Sequence, residues 1–117
     1  MMLEGHGLIS RERLRQVAVE GWDSDHDDKH TDGSLAKAAA IYAIVEQENV
    51  IRILENYGIS GLDWPWDMNW FKPFSEPPTN DPFYSTSFPA VDRIRCLVKA
   101  GALIAAEIDR LQRCESD

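Results

Sequence analysis

The chain has 117 residues, 44% of them apolar and 27% charged, which excludes wholesale disorder and predicts a single domain over residues 1–117. Twelve basic and twenty acidic side chains give a net charge of −8, which argues against non-specific binding to nucleic acid or to anionic lipid. No apolar run approaches the roughly 20 residues of a membrane-spanning helix. The first residues lack the pattern of a secretory signal, so we expect a cytoplasmic protein.

Helical spacing begins after residues 1–8, which we expect to be flexible. The first helix is predicted from about Arg11 to Glu20, with Ser10 as its N-cap and Gly21 as its C-terminal stop. Its apolar face is expected to hold Ile9, Leu14, Val17 and Ala18.

A second helix is predicted from Ser34, its N-cap, up to Gly58. Alanines in its first half would allow another helix to approach closely. The apolar spacing loses phase at residues 46–49, which predicts a kink or a break there. These alanines, like Gly101 further on, could instead serve an interface between two copies of the chain, so homo-oligomerisation stays open.

Residues 58–89 show no helical period and contain all six prolines together with most of the aromatic residues. Proline removes an amide donor and disfavours regular structure. The aromatic side chains favour an ordered loop over a floppy linker. The sequence therefore predicts a mainly α fold, a small domain of three to four helices with a long aromatic, proline-rich loop wrapping the core.

The last helix is predicted to be continuous from about Asp92 to Arg113, with Pro89 at its start and residues 114–117 as a frayed tail. Gly101 is expected to mark a close helix–helix contact, because a glycine otherwise costs about 1 kcal/mol in a helix interior. The apolar face is expected to consist of Ile94, Leu97, Val98, Gly101, Ile104, Ala105, Ile108 and Leu111.

Both cysteines, Cys96 and Cys114, fall in this last helix. Their separation along it is roughly 27 Å, whereas a disulfide needs Cα atoms within about 7 Å. They are therefore predicted to be unpaired within one chain, which fits a reducing cytoplasm.

The first cluster of reactive side chains follows Trp22 and reads His26-Asp27-Asp28-Lys29-His30. Two histidines at i and i+4 could hold a divalent metal if the segment is helical. More often, Asp and His side chains in such a loop cap turns and helix ends. We therefore expect no metal, with His26 and His30 as the weaker alternative.

The second cluster places Trp64, Trp66 and Trp70 within seven residues, followed by Lys72. Aromatic faces can stack on a base, and the lysine could meet a phosphate. The favoured interpretation is structural, with the tryptophans anchoring the long loop to the core. The alternative is that a tryptophan both anchors the loop and contacts a ligand.

The third cluster puts Arg93, Arg95 and Lys99 at the start of the last helix of an otherwise acidic protein. The more frequent outcome for such charges is pairing, here with the acidic loop at residues 23–32. The alternative is a phosphate-binding corner beside the tryptophans.

Several motifs resemble a small protein family that recurs in bacteriophages and prophages. They are Glu20-Gly21-Trp22, His26-Asp27-Asp28-x-His30, Trp64-Pro65-Trp66-Asp67-x-x-Trp70-x-Lys72-Pro73 and Leu97-Val98-Lys99-Ala100-Gly101-Ala102-Leu103-Ile104. Members of the family are labelled hypothetical. The resemblance thus implies a phage-type accessory protein in the cytoplasm of a bacterial host, without implying an activity.

Residues 15–35 also resemble the ryanodine-receptor repeat domain, a small helical module, in the order basic helix, Gly-Trp, acidic residues, His and Leu-rich turn. The proline turn of that module is missing, since this chain has Leu35-Ala36-Lys37-Ala38. Bacterial relatives of the module occur beside nucleotide-signalling defence systems. The resemblance implies recognition of a small nucleotide-like ligand, such as a host immune signal that the protein would sequester.

These features predict binding of a nucleotide-derived ligand without catalysis and without a cofactor. The acidic His loop and the tryptophan loop are expected to face each other across one pocket, with a tryptophan of the second loop near Trp22 or His26. The predicted ligand-binding residues are Trp22, His26, Asp27, Asp28, His30, Trp64, Trp66, Trp70, Lys72, Arg93 and Lys99. One alternative is an acidic protein that inhibits a host protein, and another is a metal-dependent nucleotide hydrolase.

Overall fold

The computed structural model describes residues 3–74 and 88–116. In this part of the chain the fold is mainly α-helical, as predicted, with one short β-hairpin. The elements in chain order are α1 (Gly5–Ala18), α2 (Ser24–Asp27), α3 (Ser34–Ile44), α4 (Val50–Asn56), β1 (Gly58–Ile59), β2 (Leu62–Asp63), a 3-10 turn (Met68–Trp70) and α5 (Ala90–Ser116).

The centre of the core lies between α3 and α5, which contact each other more extensively than any other pair of described elements. On α5, most of the core side chains are small, and small side chains allow two helix backbones to approach closely. The core side chains of the two helices are Leu35, Ala38, Ala39, Ile41 and Tyr42 on α3 and Cys96, Ala100, Leu103 and Ala106 on α5.

The prediction of one continuous last helix is confirmed, and α5 extends past the predicted ends to Ala90 and Ser116. The prediction of its buried face is wrong. Five members of the predicted apolar stripe are 44–52% exposed, namely Ile94, Leu97, Ile104, Ile108 and Leu111. The helix is apolar on two faces, and α3 packs against the face whose side chains are small.

Gly101 marks a close helix–helix contact, as predicted. A Cβ atom added there would lie 2.5 Å from Cδ1 of Ile9 on α1. We expect Gly101→Leu to lower the free energy of unfolding by about 1–3 kcal/mol, because the larger side chain must displace Ile9. Chemical denaturation of the two proteins measures the difference, and an unchanged midpoint would contradict the contact.

Helix α1 differs from the prediction in its bounds and in its buried face. It begins at Gly5, so residues 5–8 form its first turns, and Ser10 lies inside the helix rather than at its N-cap. Ile9 does pack on α5, but Leu14 is 68% exposed and the buried residue of the helix is the polar Gln16. Polar contacts to the rest of the molecule, described below, set this orientation.

The predicted break at residues 46–49 is confirmed, since α3 ends at Ile44 and α4 begins at Val50. The predicted N-cap of α3 is wrong by one residue. Gly33 occupies that position with φ +82°, a left-handed conformation that glycine adopts readily. The side chain of Asp32 accepts a hydrogen bond from the Ser34 amide (3.1 Å) and so caps the first turn.

The predicted loop at residues 58–89 contains regular structure that the sequence did not indicate. Strands β1 and β2 form an antiparallel hairpin in which Gly58 pairs with Asp63. A Cβ atom on Gly58 would clash with backbone atoms of Leu62 and Asp63, so the close strand pairing requires glycine. The part of the predicted loop at residues 75–87 lies outside the described residues.

The prediction of two unpaired cysteines is confirmed: Cys96 is buried and Cys114 is exposed. Burial raises the pKa of the Cys96 thiol to about 12, and its Sγ donates to the Pro73 carbonyl (3.3 Å). Its thiol is therefore protonated at neutral pH. Within the described ranges, no helix combines the length and the apolar character needed to cross a membrane.

Candidate functional site

Trp22 is held at the surface by the turn that follows α1. Gly21 adopts φ +74°, and the Trp22 amide donates to the Gln16 carbonyl (2.9 Å). Nη1 of Arg13 also donates a hydrogen bond to the Trp22 carbonyl (3.1 Å). The indole then stacks almost parallel to the His26 ring, with centroids 5.6 Å apart. The turn thus presents one aromatic face beside the histidine pair.

The tryptophan loop meets this turn, as predicted. Trp66 lies edge-on to Trp22 at 6.3 Å between centroids, and Trp70 lies at 6.5 Å. The ring of His30 is 5.3 Å from Trp66 and 4.9 Å from His26. Together these side chains surround a cavity of about 450 Å³, called the aromatic cavity here and lined by Glu20, Trp22, His26, His30, Trp66, Asp67 and Trp70.

Trp64, also predicted to bind ligand, lies in the core instead. It is 6% exposed and packs between Tyr42 and Phe71, with centroids 5.5 and 4.9 Å away. Its Nε1 donates to the Asp67 carbonyl (3.1 Å). Trp70 by contrast is 49% exposed. The tryptophans therefore divide the roles that the sequence left open: Trp64 anchors the loop, and Trp70 faces the cavity.

Tyr42 fixes the other end of the tryptophan loop. Its hydroxyl donates to the Trp70 carbonyl (3.3 Å) and accepts from the Lys72 amide (3.0 Å). Burial raises the pKa of this phenol, so the hydroxyl stays protonated at neutral pH. Because Tyr42 belongs to α3, the cavity wall is attached directly to the core.

The aspartates of the acidic loop are occupied by other groups of the chain. Asp23 accepts from the His26 amide, and Asp32 caps α3. Asp27, only 1% exposed, accepts from Arg13 (2.9 Å) and contacts Nδ1 of His26 (2.9 Å). Asp28 accepts from Arg113. Asp23 and Asp32 thus have the capping role described above, whereas Asp27 and Asp28 pair with arginines, and neither of these two lines the aromatic cavity.

The two histidines do not assemble a metal centre in the described ranges. No group of three or more His, Cys, Asp or Glu side chains in residues 3–74 and 88–116 is placed to hold a metal ion. Nδ1 of His26 contacts Asp27, and Nδ1 of His30 contacts the Ser34 hydroxyl (3.1 Å). This arrangement does not favour the hydrolase alternative.

The basic start of α5 does not pair with the acidic loop, so the favoured prediction for these charges is wrong. Nζ of Lys99 lies 3.4 Å from Glu12 on α1. Arg95 donates to the Lys72 carbonyl. The acidic loop pairs instead with Arg13 and Arg113, because α2 lies beside α1 and the C-terminal part of α5.

Lys72 and Lys99 line a second cavity of about 350 Å³, the basic cavity, but Arg93 does not. Arg93 lies in a separate cavity beside residues 46–48, which none of the other predicted ligand-binding residues lines. The lining of the basic cavity is Glu12, Arg15, Glu20, Lys72, Arg95, Val98 and Lys99. Within the described ranges Lys72 makes no salt bridge, and its Nζ lies 5.7 Å from the Trp70 ring centroid.

A third cavity of only about 20 Å³, the narrow cavity, borders the aromatic and basic cavities, since it shares lining residues with both. Glu20 lines all three, Trp22 and Trp70 are shared with the aromatic cavity, and Lys72 and Lys99 are shared with the basic one. The lining of the narrow cavity is Gln16, Glu20, Trp22, Tyr42, Trp70, Lys72, Lys99 and Leu103. We call the three cavities together the groove.

Sequence reasoning missed Gln16 and Glu20 as site residues. Gln16 is 1% exposed, and its side-chain oxygen has no hydrogen-bond partner in the described part of the chain. A buried amide oxygen without a donor is costly unless a ligand or water supplies one. Glu20 belongs to the Glu20-Gly21-Trp22 motif, which is the signal that would have found it.

Burial lowers the pKa of His30, and the neighbouring His26 lowers it further. The unfolded chain, with a histidine pKa of about 6.5, therefore takes up a proton more readily than the folded chain. We expect the free energy of unfolding to fall as pH decreases from about 7 to about 5. Because carboxylates titrate mostly below this range, His30→Gln should flatten the dependence.

The control is His6→Gln, whose side chain is 86% exposed, and it should leave the slope unchanged. Urea denaturation at several pH values measures both variants. Equal slopes for the wild type and His30→Gln would contradict the prediction.

Comparison with protein-family models, with curated proteins and with solved structures finds no match to this chain. The resemblances to the phage family and to the ryanodine-receptor repeat therefore stay predictions, and the functional argument depends on the groove.

Proposed function

We propose that the protein binds a small nucleotide-like ligand in the groove and does not transform it. The observation that carries the proposal is that the aromatic and basic cavities adjoin: Glu20 lines both, and the narrow cavity shares lining residues with each. A nucleotide has the same two parts, a planar base and an anionic phosphate. The aromatic cavity of about 450 Å³ is within the usual size of small-molecule sites.

The base would bind among Trp22, Trp66 and Trp70. Indole faces stack on bases with little dependence on base identity, and each such contact contributes roughly 1–3 kcal/mol. Trp70 is the most available of the three, since half of its surface is exposed. The unpaired oxygen of Gln16 and the carboxylate of Glu20 offer acceptors for the amino or hydroxyl groups of a ligand.

The phosphate would bind first to Lys72. Lys99 is held by Glu12, and burial lowers the pKa of its ammonium group. Arg15 is similarly engaged by Glu12 and Glu20 (2.7 and 3.0 Å). Lys72 differs from both, because it forms no salt bridge with a carboxylate in the described part of the chain. A phosphate at Lys72 therefore does not have to displace a carboxylate.

Binding without catalysis fits the groups that line the narrow cavity. The Tyr42 hydroxyl is kept protonated and already engages the Trp70 and Lys72 backbone. It is placed to position the loop. Sequestration of a host signal nucleotide, implied by the resemblances, would require only this binding step.

We expect Lys72→Ala to weaken ligand binding by roughly ten- to a hundredfold, the loss typical of one hydrogen bond to a charged group. Mass spectrometry of molecules released from the denatured protein identifies the ligand. Titration of the ligand-free protein with nucleoside phosphates and cyclic dinucleotides, followed by tryptophan fluorescence, gives its affinity.

Lys37→Ala is the matched control, since Lys37 is an exposed lysine on α3 that lines none of the three cavities. It should bind as the wild type does. Equal affinities of the two variants, or an absence of both released ligand and fluorescence change, would contradict the proposal.

A further inference from the structure

Gln16 carries a polar atom that the described part of the chain does not satisfy. Its side chain is 1% exposed, and its Oε1 has no hydrogen-bond partner within residues 3–74 and 88–116. A buried amide oxygen without a donor is unfavourable, and nearly all such atoms in folded proteins are paired. The exception at Gln16 therefore indicates a donor that comes from outside the chain.

Glu12 fixes the orientation of the Gln16 amide. Nε2 of Gln16 donates to Oε2 of Glu12 (3.3 Å). The reversed amide would place Oε1 against this carboxylate, and two acceptors repel each other. Lys99, which lines the narrow cavity together with Gln16, also donates to Oε2 of Glu12 (3.4 Å). The amide nitrogen is thus engaged, and the oxygen is the atom that remains for another donor.

The size of the narrow cavity limits what this donor can be. Its volume of about 20 Å³ is enough for one water-sized group and too small for a base or a whole ribose ring. A hydroxyl or amino group that enters the cavity meets the side chain that carries the unpaired oxygen. Glu20 adds a second acceptor to the lining, because Arg15 engages its Oε1 (3.0 Å) and a carboxylate accepts several hydrogen bonds.

The position of the narrow cavity favours a hydroxyl group over an amino group. The cavity shares Trp22 and Trp70 with the aromatic cavity, and it shares Lys72 and Lys99 with the basic cavity. In a nucleotide the sugar lies between the base and the phosphate, and the 2′-hydroxyl is on the carbon next to the one that carries the base. The amino groups belong to the base and would remain with it in the aromatic cavity.

We propose that the ligand is a ribonucleotide and that Gln16 determines this specificity, with its Oε1 accepting a hydrogen bond from the ribose 2′-hydroxyl. The inference rests on the proposed function, because it requires a nucleotide in the groove. Side-chain oxygens that accept from the 2′-hydroxyl recognise ribose in dinucleotide-binding folds in the same way. A 2′-deoxynucleotide has no donor at this position and leaves the Gln16 oxygen unpaired.

The affinity ratio between a ribonucleotide and its 2′-deoxy counterpart tests the proposal. Ribonucleoside 5′-triphosphates, cyclic di-AMP and cyclic di-GMP are compared with their 2′-deoxy counterparts by fluorescence titration of the full-length protein. We expect the ribonucleotide that binds best to bind about 5- to 150-fold more tightly than its counterpart, the effect of one buried polar group left without its partner. Equal affinities, or a released ligand without a ribose 2′-hydroxyl, would overturn the inference and leave nucleotide binding intact. An absence of both binding and released ligand would contradict the proposed function itself.

Gln16→Met separates recognition of the hydroxyl from general damage to the groove. Methionine keeps the length and approximate volume of the side chain but lacks the amide oxygen. The affinity ratio should therefore approach one, whereas general damage would weaken both nucleotides equally and keep the ratio. Gln112→Met is the matched control, since Gln112 is an exposed glutamine on α5 that lines none of the three cavities. Circular dichroism checks that both variants are folded, and a wild-type ratio in folded Gln16→Met would overturn the role of Gln16. If Gln16→Met does not fold, the ratio measured on the wild type decides.

Discussion

Replacing Asp27 with alanine is expected to lower the free energy of unfolding by about 3–5 kcal/mol. Asp27 is 1% exposed and accepts from Arg13, whose side chain is 17% exposed. Removal of the carboxylate leaves a largely buried guanidinium without its counter-charge, which costs far more than the loss of an exposed pair. Since small domains have total stabilities of about 5–15 kcal/mol, this one change removes a large part of the stability.

Asp28→Ala is the matched control for this prediction. Asp28 also accepts from an arginine, Arg113 (2.7 Å), but its side chain is 48% exposed. Exposed pairs contribute about 0–1 kcal/mol, so this variant should be nearly as stable as the wild type. Chemical denaturation compares the two, and Asp27→Asn provides a milder change if the alanine variant does not fold. Similar losses for Asp27→Ala and Asp28→Ala would show that burial of the pair is unimportant.

Asp27 also supports the Trp22 turn, which forms part of the groove. Arg13, its partner, donates to the Trp22 carbonyl, and His26, its neighbour, stacks on the Trp22 ring. The Asp27→Asn protein is therefore expected to bind ligand more weakly even where it remains folded, because the Trp22 turn loses part of its support.

Trp64→Ala is expected to destabilise the protein by about 3–5 kcal/mol. The buried indole contacts Tyr42, Trp66 and Phe71, with ring centroids within 5.5 Å. Alanine leaves a cavity that these rings cannot fill without moving the loop. Thermal and chemical denaturation measure the loss.

Trp70→Ala separates the structural role from the binding role. Because Trp70 is half exposed, its truncation should cost about 1 kcal/mol or less in stability, while nucleotide binding should fall by about 5- to 150-fold. The opposite result, a large stability loss at Trp70 and none at Trp64, would reverse the roles assigned to the two tryptophans.

Local sequence signals predicted α3, the break after it and α5, because those signals act within a few residues, but they placed the start of α1 too late and did not indicate α2. The start of α3 near residue 34, its end before residues 46–49 and the long last helix all follow from the spacing of apolar residues and from helix-start residues such as Pro89. The meeting of Trp22 with the tryptophan loop was also predicted. The hairpin at Gly58 was missed because two-residue strands carry no alternation.

The sequence by itself determined that the chain is mainly helical and that its cysteines are unpaired. It also determined that the histidine, aspartate and tryptophan side chains concentrate in the acidic His loop and the tryptophan loop. Only the tertiary structure decided which partners the charges take and which apolar face of α5 is buried. Lys99 pairs with Glu12, 87 residues away, and Arg113 pairs with Asp28, 85 residues away. Such choices depend on how whole helices pack. On α5, the close approach of α3 buries the face that carries Cys96 and Ala100. The apolar face that carries Ile104 is left exposed.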